Sequence, residues 1–570
     1  MGNFLKTQNV FSCGEVSPEF YAQNDIHGVA KLENIDVLQS GGLTRRMGLK
    51  SIRQVSNNAI LVPFPINETE KYLLVFYNNA IDVYSNDTKI KTMVAPWSAT
   101  DLKNLQYAQR FNKLFLVHPN YQPYVLTRKN NSFNLSVFQF HVNSDLSVNL
   151  PFIRFEETSG ISLTITSSDI DLNHATFTTN ADYFTDNSVG QRINAISKQW
   201  VVESVQSARI ATVYTNGDFS FPANPTYSWS ESAFSDKRGW PSCITFHQNR
   251  LVFGGTPTMP NGIWLSKTGD YYNFDVGTGL DDDAIYTTLL SAQHHNICTL
   301  VSSDKLQALT SFGEWAISGS PLTPSSVTIK QHTSVGSMID RYLPPQQIEG
   351  STVFIAKSGK DIRELDLDAL GENYNATDLC VFSKHLMNNP ISVAYNANIH
   401  KLFIVMSNGQ MAVLNKYSNT DISAWVRYKT DGDFKYVCAF NDCIYVIVQR
   451  QNTCYLEKFD ESCLMDAGTY NFSYTISAFP IIVNGHCPKK VRIRKVSLRV
   501  TNTKTLFANG CRIELPNYIY EENHAGYTGD LSVNLLGTEH QTMQSLWSVS
   551  SNEQLPATIL SVSVDGWYQI

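Results

Sequence analysis

The sequence predicts an all-β protein: a β-propeller of about seven blades, with six to eight allowed, that carries an inserted small β domain and a β-rich platform domain from both chain ends. Three observations lead to this fold class. Short apolar strands alternate with polar turns, hairpin-like segments recur at nearly even intervals, and an aromatic content of 12% is typical of a β-rich chain.

The recurring segments each read as an apolar strand, a polar or glycine-bearing turn, and a second strand. They begin about 40 to 55 residues apart, which is the length of a propeller blade, except for one interval of about 137 residues. Radial closure leaves only short sheet edges unpaired and therefore favours a propeller, with an irregular series of β-sandwiches as the alternative. The segments are Tyr72 to Tyr84, Lys113 to Thr127, Arg250 to Leu265, Lys305 to Ile317, Val353 to Leu365, Lys401 to Leu414 and Cys443 to Leu456.

The domain organisation follows from this spacing and from the length. A chain of 570 residues is too long for a single hydrophobic core. The long interval predicts an insertion, so we divide the chain into an N-terminal platform segment (1–55), the first blades (56–140), an inserted β domain (141–238), the remaining blades (239–468) and a C-terminal platform domain (469–570). Inserted domains leave their host at surface loops.

Charge and cysteine content limit the classes of partner. The formal net charge of −7 argues against a surface that grips nucleic acid, but it is compatible with DNA passing by without being held. The ten cysteines form no C-x-x-C pair, so we expect reduced thiols made in a cytoplasm. No apolar run approaches the length of a membrane span, and the N-terminus lacks the pattern of a secretory signal.

An arginine doublet, Arg45-Arg46, lies between the turn at Gly41-Gly42 and Gly48. Neighbouring side chains on an extended segment point to opposite faces. One arginine can therefore be buried against a carboxylate while the other faces a partner subunit; the alternative is a solvated turn. We treat Arg45 and Arg46 as candidate subunit-interface residues.

Three blocks of residues carry a resemblance to a known family. The first comprises Phe11, Ser12, Gly14, Glu15, Ser17, Pro18 and Tyr21, followed by Leu32, Glu33, Asn34, Val37, Leu38, Gln39, Gly41, Gly42, Arg45, Arg46 and Gly48. The second runs from Trp240 to Pro257 and from Ile263 to Phe274. The third comprises Asp281 to Ile285, Leu306 to Gly319 and Leu322 to Pro324. Together these blocks, in this order, resemble the tail nozzle proteins of podoviruses, the short-tailed bacteriophages, also called tail tubular protein B.

The resemblance covers about the first 370 residues and implies a function. It implies a virion structural protein, assembled in the host cytoplasm, that forms a homo-hexameric ring below a dodecameric adaptor in the viral tail. It further implies contacts for tail fibres or spikes, a lumen that conducts DNA during ejection, and an inserted domain that forms the nozzle part of the tube.

The C-terminal region contains the only strongly basic strand, Lys490 to Thr501, with five cations and an irregular alternation that predicts a bulge near Lys495. Arg492 and Arg494 on this strand are candidate contacts for an acidic neighbouring subunit, and a solvated sheet face is the alternative.

We find no pattern that predicts catalysis, a cofactor or a metal. No nucleophile elbow, zinc-protease, Walker or dinucleotide-binding pattern occurs in a supporting context. His118 is expected in a hairpin turn, and Asp281-Asp282-Asp283 lacks the spacing of a calcium loop. A virion-associated propeller that binds or hydrolyses host-surface glycans is the alternative function, because Ser266 to Asp270 faintly resembles a sialidase aspartate box.

Overall fold

The computed structural model describes residues 2–23, 26–167, 173–216, 224–368, 370–483, 487–520, 525–540 and 544–569. These ranges contain strands and eight 3₁₀ helices but no α-helix. The 3₁₀ helices are Pro18–Phe20, Leu102–Asn104, Glu156–Thr158, Asp186–Ser188, Lys384–Leu386, Ala397–Ile399, Ser418–Thr420 and Asn517–Tyr520.

The strands of the first part of the chain are β1 Gly2–Gln8, β2 Gly14–Glu15, β3 Gly28–Val29, β4 Lys31–Glu33, β5 Ile35–Val37, β6 Leu43–Arg45, β7 Gly48–Val55, β8 Ile60–Pro65, β9 Lys71–Tyr77, β10 Ala80–Ser85, β11 Thr88–Val94, β12 Gln106–Arg110, β13 Lys113–His118, β14 Tyr121–Lys129, β15 Ser132–Val137, β16 Phe152–Ile153, β17 Leu163–Ser167, β18 His174–Thr179, β19 Arg192–Ala195, β20 Lys198–Ser207, β21 Ile210–Thr215 and β22 Trp229–Ser232.

The strands of the second part are β23 Cys243–His247, β24 Arg250–Gly254, β25 Gly262–Leu265, β26 Ile285–Thr288, β27 Ile297–Ser302, β28 Leu306–Thr310, β29 Gly313–Ser318, β30 Thr328–Thr333, β31 Gln346–Ile348, β32 Ser351–Ile355, β33 Ile362–Leu367, β34 Tyr374–Asp378, β35 Pro390–Asn396, β36 Lys401–Met406, β37 Met411–Tyr417, β38 Ile422–Tyr428, β39 Asp433–Phe440, β40 Cys443–Arg450, β41 Thr453–Asp460, β42 Tyr474–Ser477, β43 Lys490–Thr503, β44 Phe507–Ala508, β45 Cys511–Arg512, β46 Tyr527–His540, β47 Ser548–Ser551 and β48 Thr558–Gln569.

Seven sets of four hydrogen-bonded strands repeat along the described residues, and we call them blades 1 to 7. They are β8–β11, β12–β15, β23–β26, β27–β30, β31–β34, β35–β38, and β39–β41 together with β7. Each of the seven hairpins predicted from the sequence is the central pair of strands in one blade. The predicted all-β propeller fold class is confirmed.

Four two-residue turns that join an outer strand of a blade to its central pair contain mostly asparagine and aspartate. Both residues of the turns Asn86-Asp87, Asn130-Asn131, Gln248-Asn249 and Asn441-Asp442 have positive φ. A two-residue turn with this geometry matches the twist of the flanking strands, and asparagine and aspartate adopt it more readily than most side chains. Polar doublets between apolar runs therefore set the register of these hairpins.

Blade 7 is completed by a strand from the beginning of the chain. β7 pairs antiparallel with β41, from Gly48 opposite Asp460 to Val55 opposite Cys454. Residues 48–55 thus lie in a propeller sheet, whereas the sequence prediction placed them in the platform segment. The difference arises because pairing between distant strands leaves no mark in the local alternation of residues.

The described residues between Phe152 and Ser232 form one seven-stranded antiparallel sheet, with the order β16-β22-β19-β20-β21-β18-β17, which we call the inserted sheet. It buries its own apolar cluster, which includes Phe177, Ile193 and Trp200. This sheet lies inside the region predicted as an insertion, while the domain limits themselves stay a prediction.

Both chain ends contribute to two further sheets. A six-stranded sheet has the order β46-β43-β48-β6-β5, with β1 also paired to β48. Blade 6 belongs to an eleven-stranded sheet, because β38 is followed by β4, β42, β47, β44 and β45. The step from β38 to β4 is parallel and places Arg427 opposite Glu33.

The chain divides into two compact units. Unit 1 comprises 1–99, 343–367 and 376–570, and unit 2 comprises 100–342 and 368–375. Within unit 1, blade 7 packs against blade 1 through a cluster that includes Leu61, Val75 and Ile447. Within unit 2, blades 3 and 4 share a cluster that includes Val252, Ile263 and Leu306.

All ten cysteines are free thiols, and Cys443 and Cys454 lie in strands β40 and β41. Burial raises the pKa of the Cys380 thiol and of the Cys438 thiol to about 12. Among the described residues, no helix has both the length and the apolar character needed to cross a bilayer.

Candidate functional site

The guanidinium of Arg46, in the N-terminal segment, donates five hydrogen bonds. Its Nε donates to Asn34 Oδ1 at 2.9 Å, and its two terminal nitrogens donate to Asp466 at 3.0 and 2.7 Å. The remaining donors reach the carbonyl oxygens of Met47 and Lys429, both at 2.8 Å. All five N–H donors of the guanidinium are therefore used inside unit 1.

Arg45 binds backbone oxygens instead of a carboxylate. Its Nη1 donates to the carbonyls of Glu553 and Leu555, and its Nη2 donates to those of Leu464 and Phe472, at 2.6 to 3.1 Å. Burial lowers the pKa of Arg45 to about 10. The guanidinium lies 4.4 Å from the centre of the Phe472 ring, and that of Arg46 lies 3.6 Å from the same ring.

The doublet does not divide its side chains between a buried and an outer face as expected from the sequence. Arg45 and Arg46 are 7% and 1% exposed, so neither is available to a partner on the surface of the chain. The segments around Leu464 and Glu553 supply acceptors on the side where solvent was expected. The two arginines join the beginning of unit 1 to its end.

Glu15, another residue of the first resemblance block, is the centre of a second buried network that the sequence did not reveal. The carboxylate is 1% exposed and accepts from the backbone N–H of Leu32 at 2.8 Å and from His385 Nε2 at 2.9 Å. Arg427 donates to the same carboxylate, and Ser383 Oγ donates to the Glu15 carbonyl. The only local signal is an acidic residue between apolar ones.

Two glycines of this block are required by close backbone approach. A Cβ on Gly48 would lie 2.2 Å from the carbonyl oxygen of Met465, and a Cβ on Gly14 would lie 2.3 Å from that of Trp425. Gly14 also has a φ of +66°. Gly14 therefore lets the N-terminal segment lie directly against strand β38, and Gly48 lets β7 lie against the turn that follows β41.

Arg250 connects the second and third resemblance blocks inside unit 2. Arg250 is 1% exposed. Its guanidinium donates to the carbonyl oxygens of Ser266 at 2.7 Å, Asp283 at 2.6 Å and Asp281 at 2.9 Å. Lys267 Nζ lies 2.9 Å from Asp282 Oδ2. The aspartate triplet is thus part of a turn held by two cations of the chain itself.

The basic strand β43 is exposed on one face and partly neutralised by its neighbours. Arg494 pairs with Asp565 of β48 at 2.8 Å, and Arg492 lies over the ring of Trp567 at 5.6 Å. Register shifts between Ile493 and Lys495 confirm the predicted bulge. The role of Arg492 and Arg494 at a subunit interface stays a prediction.

Two further positions bear on metal binding. His118 ends β13 at a hairpin turn, as predicted, and its Nδ1 accepts from the backbone N–H of Asn120 at 3.2 Å. Asp361, Asp378 and Cys380 are the one group within the described ranges with the spacing of metal ligands. Lys384 Nζ lies 2.6 Å from Asp361 and 3.1 Å from Asp378. Both carboxylates of this group therefore form ion pairs with the Lys384 ammonium.

A buried ion network at the base of the inserted sheet was not predicted. Glu231 is fully buried and accepts from Arg238 Nε at 3.0 Å and from Tyr183 at 2.9 Å; Gln191 donates to the same carboxylate. Arg238 also pairs with the exposed Glu157. These residues are scattered over the insertion, and no motif joins them in the sequence.

A cavity of about 240 Å³ lies next to this network in unit 2. Its walls come from blade 2, from the two connections that lead into and out of the inserted sheet, and from β19 of that sheet. Its lining includes Gln122, Gln139, Arg192, Phe234, Asp236 and Trp240.

Comparison with known proteins gives fold neighbours only. No family model matches the chain, and no curated protein matches its sequence. Among solved structures, the chain is similar to the β-propeller domain of Cps50 (Swd1) from Myceliophteria thermophila, with 7% identity over 72% of this chain and 99% of that one and a TM-score of 0.34. BamB from Moraxella catarrhalis shows 9% identity over 72% and 100%, with a TM-score of 0.32.

The Pan2 WD40 domain from Neurospora crassa shows 8% identity over 73% of this chain and 95% of that one, with a TM-score of 0.28. Scores this low carry no argument about function. The fold assignment depends on the repeated four-stranded sheets of the chain itself.

Proposed function

We propose that this chain is a structural subunit of a short bacteriophage tail. Six copies form a ring-shaped nozzle below a dodecameric adaptor, the ring conducts DNA during ejection, and it anchors fibres or spikes. The proposal comes from the ordered resemblance blocks in the first 370 residues to podovirus tail nozzle proteins. The all-β propeller is compatible with that role, and fold alone does not define it.

The observation that carries the proposal is where the block residues lie. Glu15, Arg46 and Arg250 are each buried. Glu15 and Arg46 bond to residues 370 and 420 positions away, whereas Arg250 joins the second block to the third. Two residues of the first block therefore hold the N-terminal segment to later parts of unit 1, and Arg250 of the second block stabilises a turn of unit 2. Buried hydrogen bonds of this kind suit a subunit that must keep its fold while the tail assembles and ejects DNA.

Assembly is tested on the purified full chain, alone and mixed with its adaptor ring. We expect end-on electron micrographs to show six-fold annular particles, and native mass spectrometry to give six times 64.0 kDa for the ring. A chain that stays monomeric in both conditions would contradict the proposal. A saturable hydrolytic activity on a host polysaccharide would favour the glycosidase alternative instead.

The basic strand provides a sharper version of this experiment. We expect the double variant Arg492→Gln, Arg494→Gln to form fewer rings, because it removes the proposed attraction to an acidic neighbouring subunit. Arg209→Gln is the matched control, since Arg209 is an exposed arginine that pairs with Asp182 on the inserted sheet. Equal ring yields for both variants would remove β43 from the interface.

The conduit role is tested by DNA binding. Because the chain carries a net charge of −7, we expect the assembled ring to show no measurable affinity for linear duplex DNA at physiological salt. A map of the electrostatic potential with a continuous positive lining in the lumen would contradict this expectation.

A further inference from the structure

The cavity at the base of the inserted sheet has the features of a binding site that the nozzle role does not use. It measures about 240 Å³, which is enough for one sugar-sized group, and it lies where the chain enters and leaves the inserted sheet. Its lining contains ten apolar side chains, six polar ones and one glycine. A mixed lining of this kind suits a ligand that has both apolar and hydrogen-bonding faces.

Arg192 is the cationic residue that lines this cavity. On β19 the side chains alternate, so Ile193 packs into the core of the inserted sheet while Arg192 lies on the opposite side and lines the cavity. Burial lowers the pKa of Arg192, and the neighbouring ionisable group that acts on it is Tyr214. Within the described parts of the chain, no carboxylate compensates this guanidinium as Glu231 compensates Arg238.

Arg192 is partly buried, and burial without a neutralising carboxylate disfavours its charged form. A bound anion would offset that effect. A carboxylate fits best, since the planar guanidinium donates two parallel N–H bonds to its two oxygens.

The other polar groups of the cavity fit hydroxyl groups. Gln122 and Gln139 are exposed at its rim, and each amide offers donors and an acceptor. Trp240 lines the same cavity, with its indole N–H held by Asp236 Oδ1 at 2.9 Å. The ring is half-buried and presents a flat apolar surface on which the C–H face of a sugar can pack.

Asp236 makes the site selective among anions. Its carboxylate lines the cavity together with Arg192, so a dianion such as phosphate meets a like charge there. A singly charged carboxylate carried by a neutral sugar ring avoids most of this repulsion, and its hydroxyls can donate to Asp236. We propose that this cavity binds a carboxylate-bearing sugar, through Arg192 to the carboxylate and through Trp240 and the glutamines to the ring.

The test is a titration of the full chain with D-glucuronate, D-glucose and inorganic phosphate, followed by ligand-observed NMR or calorimetry. We expect saturable binding of glucuronate that is at least about tenfold tighter than that of glucose and of phosphate. Arg192→Gln should weaken glucuronate binding by about tenfold or more. Arg209→Gln, an exposed arginine of the same sheet, should leave it unchanged within about twofold.

Gln139→Ala serves as a second variant, because Gln139 is exposed and its loss does not endanger folding. It should weaken glucuronate binding severalfold. Absence of saturable glucuronate binding, equal affinity for glucose or phosphate, or unchanged binding in both cavity variants would overturn the proposal. Ring formation is scored separately by electron microscopy, so failure here is distinguishable from failure of the nozzle proposal.

Discussion

Arg46 and Asp466 form a two-point ion pair although 420 residues separate them in the chain. Their side chains are 0% and 1% exposed, and no other carboxylate contacts the guanidinium among the described residues. The pair joins the end of the N-terminal segment to the turn that follows blade 7. It is therefore a point at which the two ends of unit 1 depend on each other.

Loss of the Asp466 carboxylate should destabilise the protein strongly. Asp466→Asn leaves the Arg46 charge buried without its counter-charge, and we expect the free energy of unfolding to fall by about 3–5 kcal/mol in urea denaturation. Asp565→Asn is the control, because it breaks the exposed pair with Arg494 and should cost less than about 1 kcal/mol. Similar losses for both variants would mean that burial of the pair is unimportant.

Gly48 should not tolerate a methyl group. In Gly48→Ala the new Cβ would lie 2.2 Å from the Met465 carbonyl oxygen, so the backbone must shift, and we expect a loss of about 1–3 kcal/mol. Gly160→Ala is the matched substitution, since no atom lies within 4 Å of its Cβ position. Thermal melting of the two variants checks this, and equal melting temperatures would refute the steric argument.

Lys237 should make stability depend on pH above neutrality. Burial lowers its pKa from 10.5 to about 8, although Glu231 and Glu157 act in the opposite direction. Between these two values the unfolded chain binds the proton that the folded chain has lost, so stability increases as pH rises from about 8 to 10.5 and is lost as pH falls back through this window.

Comparison with Lys237→Met isolates this contribution, because the methionine keeps the apolar stem and removes the amine. We expect the stability of the unmodified protein relative to the variant to rise by up to about 3 kcal/mol across the window, in urea denaturation at pH 8.0, 9.0 and 10.0. Parallel pH profiles for the two proteins would show that the amine is not desolvated.

Buried thiols should resist alkylation in the folded protein. Burial raises the pKa of Cys438 to about 12, whereas Cys511 is exposed. Because the thiolate is the reactive form, we expect iodoacetamide at pH 8 to modify Cys511 at least about a hundredfold faster than Cys438. Peptide mapping by mass spectrometry gives both rates, and urea should make them equal. Rapid labelling of Cys438 without denaturant would contradict its burial.

The repeated hairpins were predictable because their information is local. An apolar run, a polar doublet such as Asn78-Asn79 and a second apolar run define both strands and the turn between them. The bulge near Lys495 was also predictable, since two consecutive exposed residues interrupt the alternation of β43.

Long-range partners were not predictable from the sequence. The residues next to Arg45 in the sequence do not indicate that the carbonyl oxygens of Glu553 and Leu555 bind its guanidinium. Arg45 was expected at a subunit interface, but it is buried within its own chain. The same limit applies to Glu231 and Arg238, whose pairing depends on how the inserted sheet meets its connections. The alternation of apolar and polar residues along a strand indicates which side chains face the core, but it does not identify the residues that they contact there.

The closure of blade 7 by β7 has a consequence during synthesis. A ribosome releases the residues of β7 about 400 residues before those of β41, and at about 5–20 residues per second this interval lasts tens of seconds. Throughout that time β7 lacks β41, the strand with which its backbone pairs. The nascent chain therefore cannot complete the sheet of blade 7 until translation is well past the midpoint. Truncated products that end before residue 453 therefore cannot complete this sheet, which restricts complete closure to chains long enough to include β41.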